Sequence, residues 1–224
     1  SEMCIRDRIQ AFATSARLNF AIMETVILHS CCAPCSAAVL EWMLAHDIRP
    51  IVFYFNPNIF PQAEYEKRKA ELTVHCQRLG VEVVDGDWDH NTWLEAVKGL
   101  ENEPERGRRC SVCFSVRLRA TAKLAHDHGI ARFTTTLASS RWKNLDQVNA
   151  AGQEAAEHYA DVQYWDKNWR KDGLQDRRNA LLKFYGFYNQ TWCGCEFSYR
   201  DAQKRASEIA TVSYTHLTLP TILR

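Results

Sequence analysis

The thiols of this chain are grouped, and the grouping limits the chemistry open to it. Cys31, Cys32 and Cys35 fall within His29-Ser30-Cys31-Cys32-Ala33-Pro34-Cys35-Ser36, Cys110 and Cys113 form a Cys-x-x-Cys pair, and Cys193-Gly194-Cys195 closes the series. A Cys-x-x-Cys pair at the head of a helix holds two sulfurs one turn apart, able to grip one metal or one cluster edge. Adjacent Cys31 and Cys32 would face opposite ways in a regular strand, so a joint role requires a loop. Four cysteines without a paired histidine suit either structural zinc or an iron–sulfur cluster. Zinc closes small domains that lack a core. This chain has the residues for a core, and it has more sulfurs than the four a site needs, which points to redox work. A bridge between Cys193 and Cys195, with Gly194 permitting the bend, would be strained and easily reduced, as a catalytic disulfide is. Two further cluster ligands at these positions remain the alternative. Cys76 lies on the apolar face of a helical pattern and reads as a small core residue.

The elements that must position these thiols are legible nearby. A β-branched run, Thr25-Val26-Ile27-Leu28, precedes the first group; a helical pattern to about Ala45 follows it, with Pro34 suited to the first turn. A strand ending in a tight loop that opens a helix is where α/β proteins put their chemistry. The helix start offers free N–H groups and a positive dipole end, both favourable to thiolates. Arg49 to Phe55 reads as a second strand, ended by Asn56-Pro57-Asn58, and Pro61 opens a long helix that Gly80 stops. A third strand covers Val81 to Val84, and a helix Thr92 to Leu100. Residues 101–109 read as a polar loop, Cys110 to His128 as a helix, Arg132 to Thr135 as a fourth strand and Leu145 to Tyr159 as a helix. From Val162 the pattern is irregular and aromatic, with a short helix around Asn179 to Lys183. Strands alternating with helices predict parallel βαβ units, hence an α/β three-layer sandwich in a single domain.

Composition narrows the class. The chain holds 224 residues at a formal net charge of +1, with 46% hydrophobic residues, and no apolar run is long enough to span a bilayer. Nine cysteines, odd in number and clustered, with no secretory signal in view, argue against a disulfide scaffold and for metal or redox use. Both ends look foreign: 1–22 is expected to be non-native or disordered, 211–224 a non-native tail, and 23–210 the iron–sulfur catalytic domain, with Met23 as its start. Arg106, Arg108, Arg109, Arg117, Arg119 and Lys123 crowd around the second thiol pair. Lys167, Arg170, Lys171, Arg177 and Arg178 interleave with Trp165 and Trp169. Guanidinium groups track phosphates and indoles stack unpaired bases, so these are candidate RNA-facing residues; the bland alternative is a solvated, mixed-charge face.

From about Thr25 to Asp201 the chain resembles the cobalamin-independent, iron–sulfur epoxyqueuosine reductases, the QueH family. The resemblance is carried by His29-Ser30-Cys31-Cys32-Ala33-Pro34-Cys35-Ser36, Phe55-Asn56-Pro57-Asn58-Ile59, Glu64-Tyr65-Glu66-Lys67-Arg68 and the run from Trp93 to Glu101. It continues through Arg109-Cys110-x-x-Cys113, Phe133-Thr134-Thr135-Thr136-Leu137, Lys143-Asn144 and Cys193-Gly194-Cys195-x-x-Ser198. It implies a nucleotide-hydrolase-like (Rossmann-like) fold and a cytoplasmic oxidoreductase that reduces epoxyqueuosine to queuosine at the wobble position of tRNA anticodons, the last step of queuosine biosynthesis. It also implies a [4Fe–4S] cluster held by Cys31, Cys32, Cys110 and Cys113, a redox pair at Cys193 and Cys195, and Cys35 as a ligand of an adjacent mononuclear iron. The partners implied are tRNA carrying epoxyqueuosine and an electron donor that no motif identifies. His29 and Asp85 are candidate proton donors to the departing oxygen.

Two rivals make distinct predictions. An ATP-dependent sulfur-inserting tRNA enzyme needs a Gly/Ser-rich pyrophosphate loop after the first strand, where this chain has Ser-Cys-Cys-Ala-Pro-Cys. A zinc-stabilised, non-catalytic RNA-binding module would be colourless and indifferent to oxygen.

Overall fold

Val26, Ile27, Leu28 and His29 are buried whichever face they point to, as the central strand of a parallel sheet requires. The computed structural model describes residues 23–217; residues 1–22 and 218–224, within the ends read as foreign, lie outside the described residues. Strand β1 (Glu24–His29) pairs in parallel with β2 (Ile48–Tyr54) on one side and β4 (Arg132–Thr135) on the other. With β3 (Glu82–Asp85) and β5 (Gln163–Tyr164) the sheet order is β3-β2-β1-β4-β5, parallel throughout.

Helix α1 (Ala33–Ala45) packs on α2 (Gln62–Leu79) and α6 (Leu174–Tyr185), forming one layer. Helices α4 (Arg108–Asp127) and α5 (Leu145–Ala156) pack on each other as a second layer, and α3 (His90–Ala96) leans on α4. The expected three-layer α/β sandwich is the observed one. The chain leaves β1 toward β2 in one direction and joins β4 in the other, so a crevice opens at the carboxyl ends of β1 and β4. His29-Ser30-Cys31 and Thr135-Thr136 meet there, since His29 is in register with Thr135.

Four elements depart from the sequence reading. The helix expected around 179–183 extends over Leu174–Tyr185 because Gly173 and Gly186, at φ of +76° and +64°, set its ends. The helix expected from Thr92 to Leu100 stops at Ala96, its start fixed by Asp89 accepting from the Thr92 N–H. Strand β5 and helix α7 (Glu196–Leu217) lie in stretches that carry no clear periodicity, so the sequence reading does not include them. Helix α7 runs into the segment expected from 211 onward to be foreign.

Gly152 is placed for close approach. A Cβ on Gly152 of α5 would lie 2.5 Å from the Tyr164 ring of β5. Overpacking of this kind costs about 1–3 kcal/mol, against roughly 1 kcal/mol gained in helix propensity. Gly152→Ala should therefore lower the urea midpoint of unfolding; a raised midpoint would show that Tyr164 moves aside freely.

A thiol-lined candidate active site

Cys32 caps α1 in an extended conformation and Pro34 occupies its first turn, as its missing N–H allows. This turn bends the backbone so that neighbouring thiols share one side: Cys31 Sγ and Cys32 Sγ are 3.8 Å apart. The sulfurs of Cys31, Cys32 and Cys35 all lie within 4.8 Å of one another. They form part of the wall of a cavity of about 490 Å³, which Cys110 from α4 and Cys193 from the loop before α7 also line. Five thiols from three distant segments thus face one space.

Cys113 and Cys195 do not line that cavity. They are buried behind it in a small apolar cluster with Trp93, Val97 and Phe197. Burial, reinforced by the nearby Cys193 and Cys113, pushes the Cys195 thiol up to about 12. Burial likewise raises Cys110 to about 11. Cys193 and Cys195 are both free thiols in this structure. Gly194 between them adopts φ +128°, a conformation that side-chain-bearing residues rarely take, so the expected bend is present and needs glycine. The loop is pinned from both sides: Phe60 N–H donates to the Gly194 carbonyl at 2.9 Å and Arg68 Nη1 to the Cys193 carbonyl at 3.2 Å. Lys143 Nζ donates to Cys193 Sγ at 2.9 Å.

A buried cation underlies the triad. Arg117, only 2% exposed, donates through Nη2 to Asn56 Oδ1 at 2.6 Å, and Asn56 Nδ2 donates to the Ser30 carbonyl at 2.9 Å. Arg117 Nε lies 3.4 Å from His29 Nε2, while His29 Nδ1 is 2.8 Å from Thr135 Oγ1. Burial first, and then the Arg117 charge, pull His29 down to about 3, so its imidazole is neutral. Among the described residues no carboxylate is hydrogen-bonded to Arg117; the anion that its charge favours is the Cys31 thiolate. Hydrogen bonds from the Cys32 and Cys35 thiols, helped by Arg117 and Lys143, hold Cys31 well below the usual thiol range. The same sharing raises Cys32 and takes Cys35 to about 12. Three close sulfurs with one favoured as thiolate are a donor set suited to a thiophilic metal or cluster.

Arg117→Met should cost about 3 kcal/mol of stability, because it strands Asn56 Oδ1 and removes the buried counter-charge of the thiols. Urea unfolding of the metal-free protein measures it, and a loss below about 1 kcal/mol would show that the network is not structural.

The profile of the family described as "Epoxyqueuosine reductase QueH" matches residues 26–201. The chain is 46% identical over 183 residues to "Epoxyqueuosine reductase QueH" of Haemophilus influenzae, covering 82% of this chain and 75% of that one. The protein of the same name from Acinetobacter baylyi is 44% identical, covering 81% of this chain and 83% of that one. For the one from Thermotoga maritima the values are 35%, 84% and 97%. The chain belongs to the QueH family.

Within this QueH chain the structure redistributes the residues that sequence reading singled out. Arg109 and Arg117 are buried, while Arg119 and Lys123 are exposed but paired with Glu154 and Asp127, so four of the six residues of the first basic group are engaged within the chain. Trp169 is buried with its indole N–H on Thr134 Oγ1, and it is unavailable for stacking a base. Of the two basic groups, Arg106 and Arg178 reach the cavity. His29 is fully buried and sealed by its partners. Asp85 pairs with Lys69 at the end of β3 and does not line the cavity. Neither is placed to protonate a substrate there. Sequence reading gave no role to Lys143 or to Trp142, which is 69% exposed on the cavity wall. The available signal was position: both follow β4 in a loop at the carboxyl edge of the sheet, where such folds keep their function. The QueH motif residue Asn56 likewise gains a reason, as the bridge between Arg117 and Ser30.

Proposed function

We propose that this chain removes the epoxide oxygen of epoxyqueuosine at the wobble position of a tRNA anticodon, yielding queuosine, as a single cytoplasmic catalytic domain over residues 23–210. The observation that carries this reading is the meeting of Cys31, Cys32, Cys35, Cys110 and Cys193 around one cavity in a chain of the QueH family. No helix among the described residues is long and apolar enough to cross a membrane. Cys31, Cys32, Cys110 and Cys113 would hold a [4Fe–4S] cluster, with Cys35 serving an adjacent iron; Cys113 enters the set as the helical neighbour of Cys110 on α4. Such a centre, when bound, supplies an iron able to polarise an oxygen and a path for single electrons.

The chain's own residues do the rest. Arg117 and Lys143 supply positive charge around the Cys31 thiolate, and the buried Thr135–His29 pair fixes the end of β1 that carries it. Cys193 faces the cavity while Cys195 waits behind it, one glycine away. Together they hold two electrons and release them when they join as a disulfide. Arg106, Arg178 and Arg205 on the cavity wall meet backbone phosphates, and the cavity accepts a nucleoside drawn out of the anticodon loop.

Trp142 is the stacking platform at the mouth. Its ring carries Arg141 at 4.9 Å, and its carbonyl accepts from Arg106 Nε at 2.8 Å. Stacking on an aromatic is worth about 1–3 kcal/mol per base. Trp142→Ala should thus raise KM for tRNA about tenfold or more with kcat little changed, and Trp142→Phe should keep most of the affinity. Equal KM for wild type and Trp142→Ala would place the anticodon elsewhere.

The reading is tested by anaerobic reconstitution with iron and sulfide followed by incubation with tRNA containing epoxyqueuosine. Queuosine should appear on nucleoside analysis; an untouched epoxide contradicts the reading.

A further inference from the structure

Loss of the epoxide oxygen as water needs two protons delivered inside the cavity, and few groups there can release one. Guanidinium groups such as Arg68, Arg106, Arg178 and Arg205 do not deprotonate in proteins. The amides, hydroxyls and indoles of the wall are too weakly acidic. His29 and Asp85 do not line it. Glu105 lines it but is solvent-exposed. Lys143 remains. Its ammonium is 2.9 Å from Cys193 Sγ, and its backbone is fixed by Arg170 Nη2 donating to its carbonyl at 2.9 Å and by its own N–H donating to Ser140 O at 3.2 Å. An ammonium has three N–H donors, and Cys193 uses one of them, leaving two for a ligand in the cavity.

We propose that Lys143 is the catalytic proton donor to the departing epoxide oxygen, and that oxidation of its partner Cys193 triggers the transfer. The inference rests on reading Cys193 and Cys195 as the electron-donating pair. The physical coupling is direct. Burial opposes the charge on Lys143, and the Cys193 sulfur outweighs it, holding the lysine above its usual range. When that sulfur joins Cys195 it becomes a neutral disulfide sulfur and a much weaker hydrogen-bond acceptor for Lys143. The ammonium then loses its strongest favourable interaction and keeps only the weaker one with Cys31 against burial and the Arg117 charge, so it gives up its proton more readily. Its proton therefore comes free at the moment the oxygen needs it.

Atoms and electrons balance. The hydrogen-bonded Lys143–Cys193 pair carries one transferable proton and the Cys195 thiol a second. The two sulfurs give up two electrons as the S–S bond forms. The epoxide takes up both electrons and both protons as its two C–O bonds break, the C=C bond forms, and the oxygen leaves as water. Lys143 ends as the amine, and the later reduction of the disulfide restores the pair.

The test compares reconstituted wild type, Lys143→Met, Lys143→Arg and Glu105→Gln in single turnover on tRNA containing epoxyqueuosine, with tRNA affinity measured separately. Both lysine variants should react about 100-fold slower or more, within the range for loss of a general acid, with affinity kept. Arginine keeps the charge but cannot release the proton. Added methylammonium should restore part of the rate in Lys143→Met and leave wild type unaffected, a response that a merely structural lysine would not give. In cluster-free protein carrying Cys195→Ser, iodoacetamide should label Cys193 more slowly once Lys143 is methionine. Full activity in Lys143→Arg overturns the inference, as does equal labelling, or a slow Glu105→Gln beside a fast Lys143→Met. Should the methionine variant fail to fold, Lys143→Arg decides alone. A wild type that leaves the epoxide intact fails differently, removing the redox reading and this inference with it.

Discussion

Cys193→Ser should stop turnover, slowing epoxide loss by about 10³ or more, equivalent to some 4 kcal/mol in the barrier. Serine keeps the shape of the side chain and can accept from Lys143, so the loop held by Phe60 and Arg68 stays in place. What is lost is the ability to form a disulfide with Cys195, and with it the paired electrons. The measurement is single-turnover conversion of epoxyqueuosine in tRNA by the anaerobically reconstituted variant. Turnover within a few-fold of wild type would show that Cys193 is not the electron-donating sulfur and would favour its alternative reading as a metal ligand.

Replacing Cys31 by alanine should be at least as damaging, by a different route. Cys31 is the sulfur that Cys32, Cys35, Arg117 and Lys143 together favour as a thiolate. Removing it leaves Arg117 without its anion and opens the triad, so bound iron should fall to background and turnover with it, by about 10³. Cys76→Ala is the matched control: that sulfur is fully buried in the main core, away from the cavity, and its loss should spare the metal. Iron retained at the wild-type level in Cys31→Ala would remove the triad from the binding set. Iron lost equally in both variants would mean that metal content follows stability alone.

Sequence patterning carried far where one physical term dominated. The buried run Val26-Ile27-Leu28, the Pro34 turn and the Gly80 stop each dictate local structure strongly, and β1, α1 and the end of α2 lie where these residues put them. The thiol positions could be read from spacing, but not their facing. Cys110 and Cys113 are three residues apart on α4, yet one meets the cavity and the other meets Trp93 and Phe197, because α3 and α7 cover that side. Charge was read least well. Arg117 looks like any surface arginine in sequence, and only the fold places Asn56 and His29 against it. Lys143 likewise owes its partner to a loop fifty positions away in sequence, a distance no local pattern spans.

The most direct test is the metal centre itself. Anaerobic reconstitution with iron and sulfide, followed by quantification of both per chain and an absorption spectrum, should find iron and acid-labile sulfide bound together with a broad band in the blue that fades in air. Binding of zinc alone, or iron without sulfide, in a colourless protein that tolerates oxygen would contradict a redox centre built from these thiols.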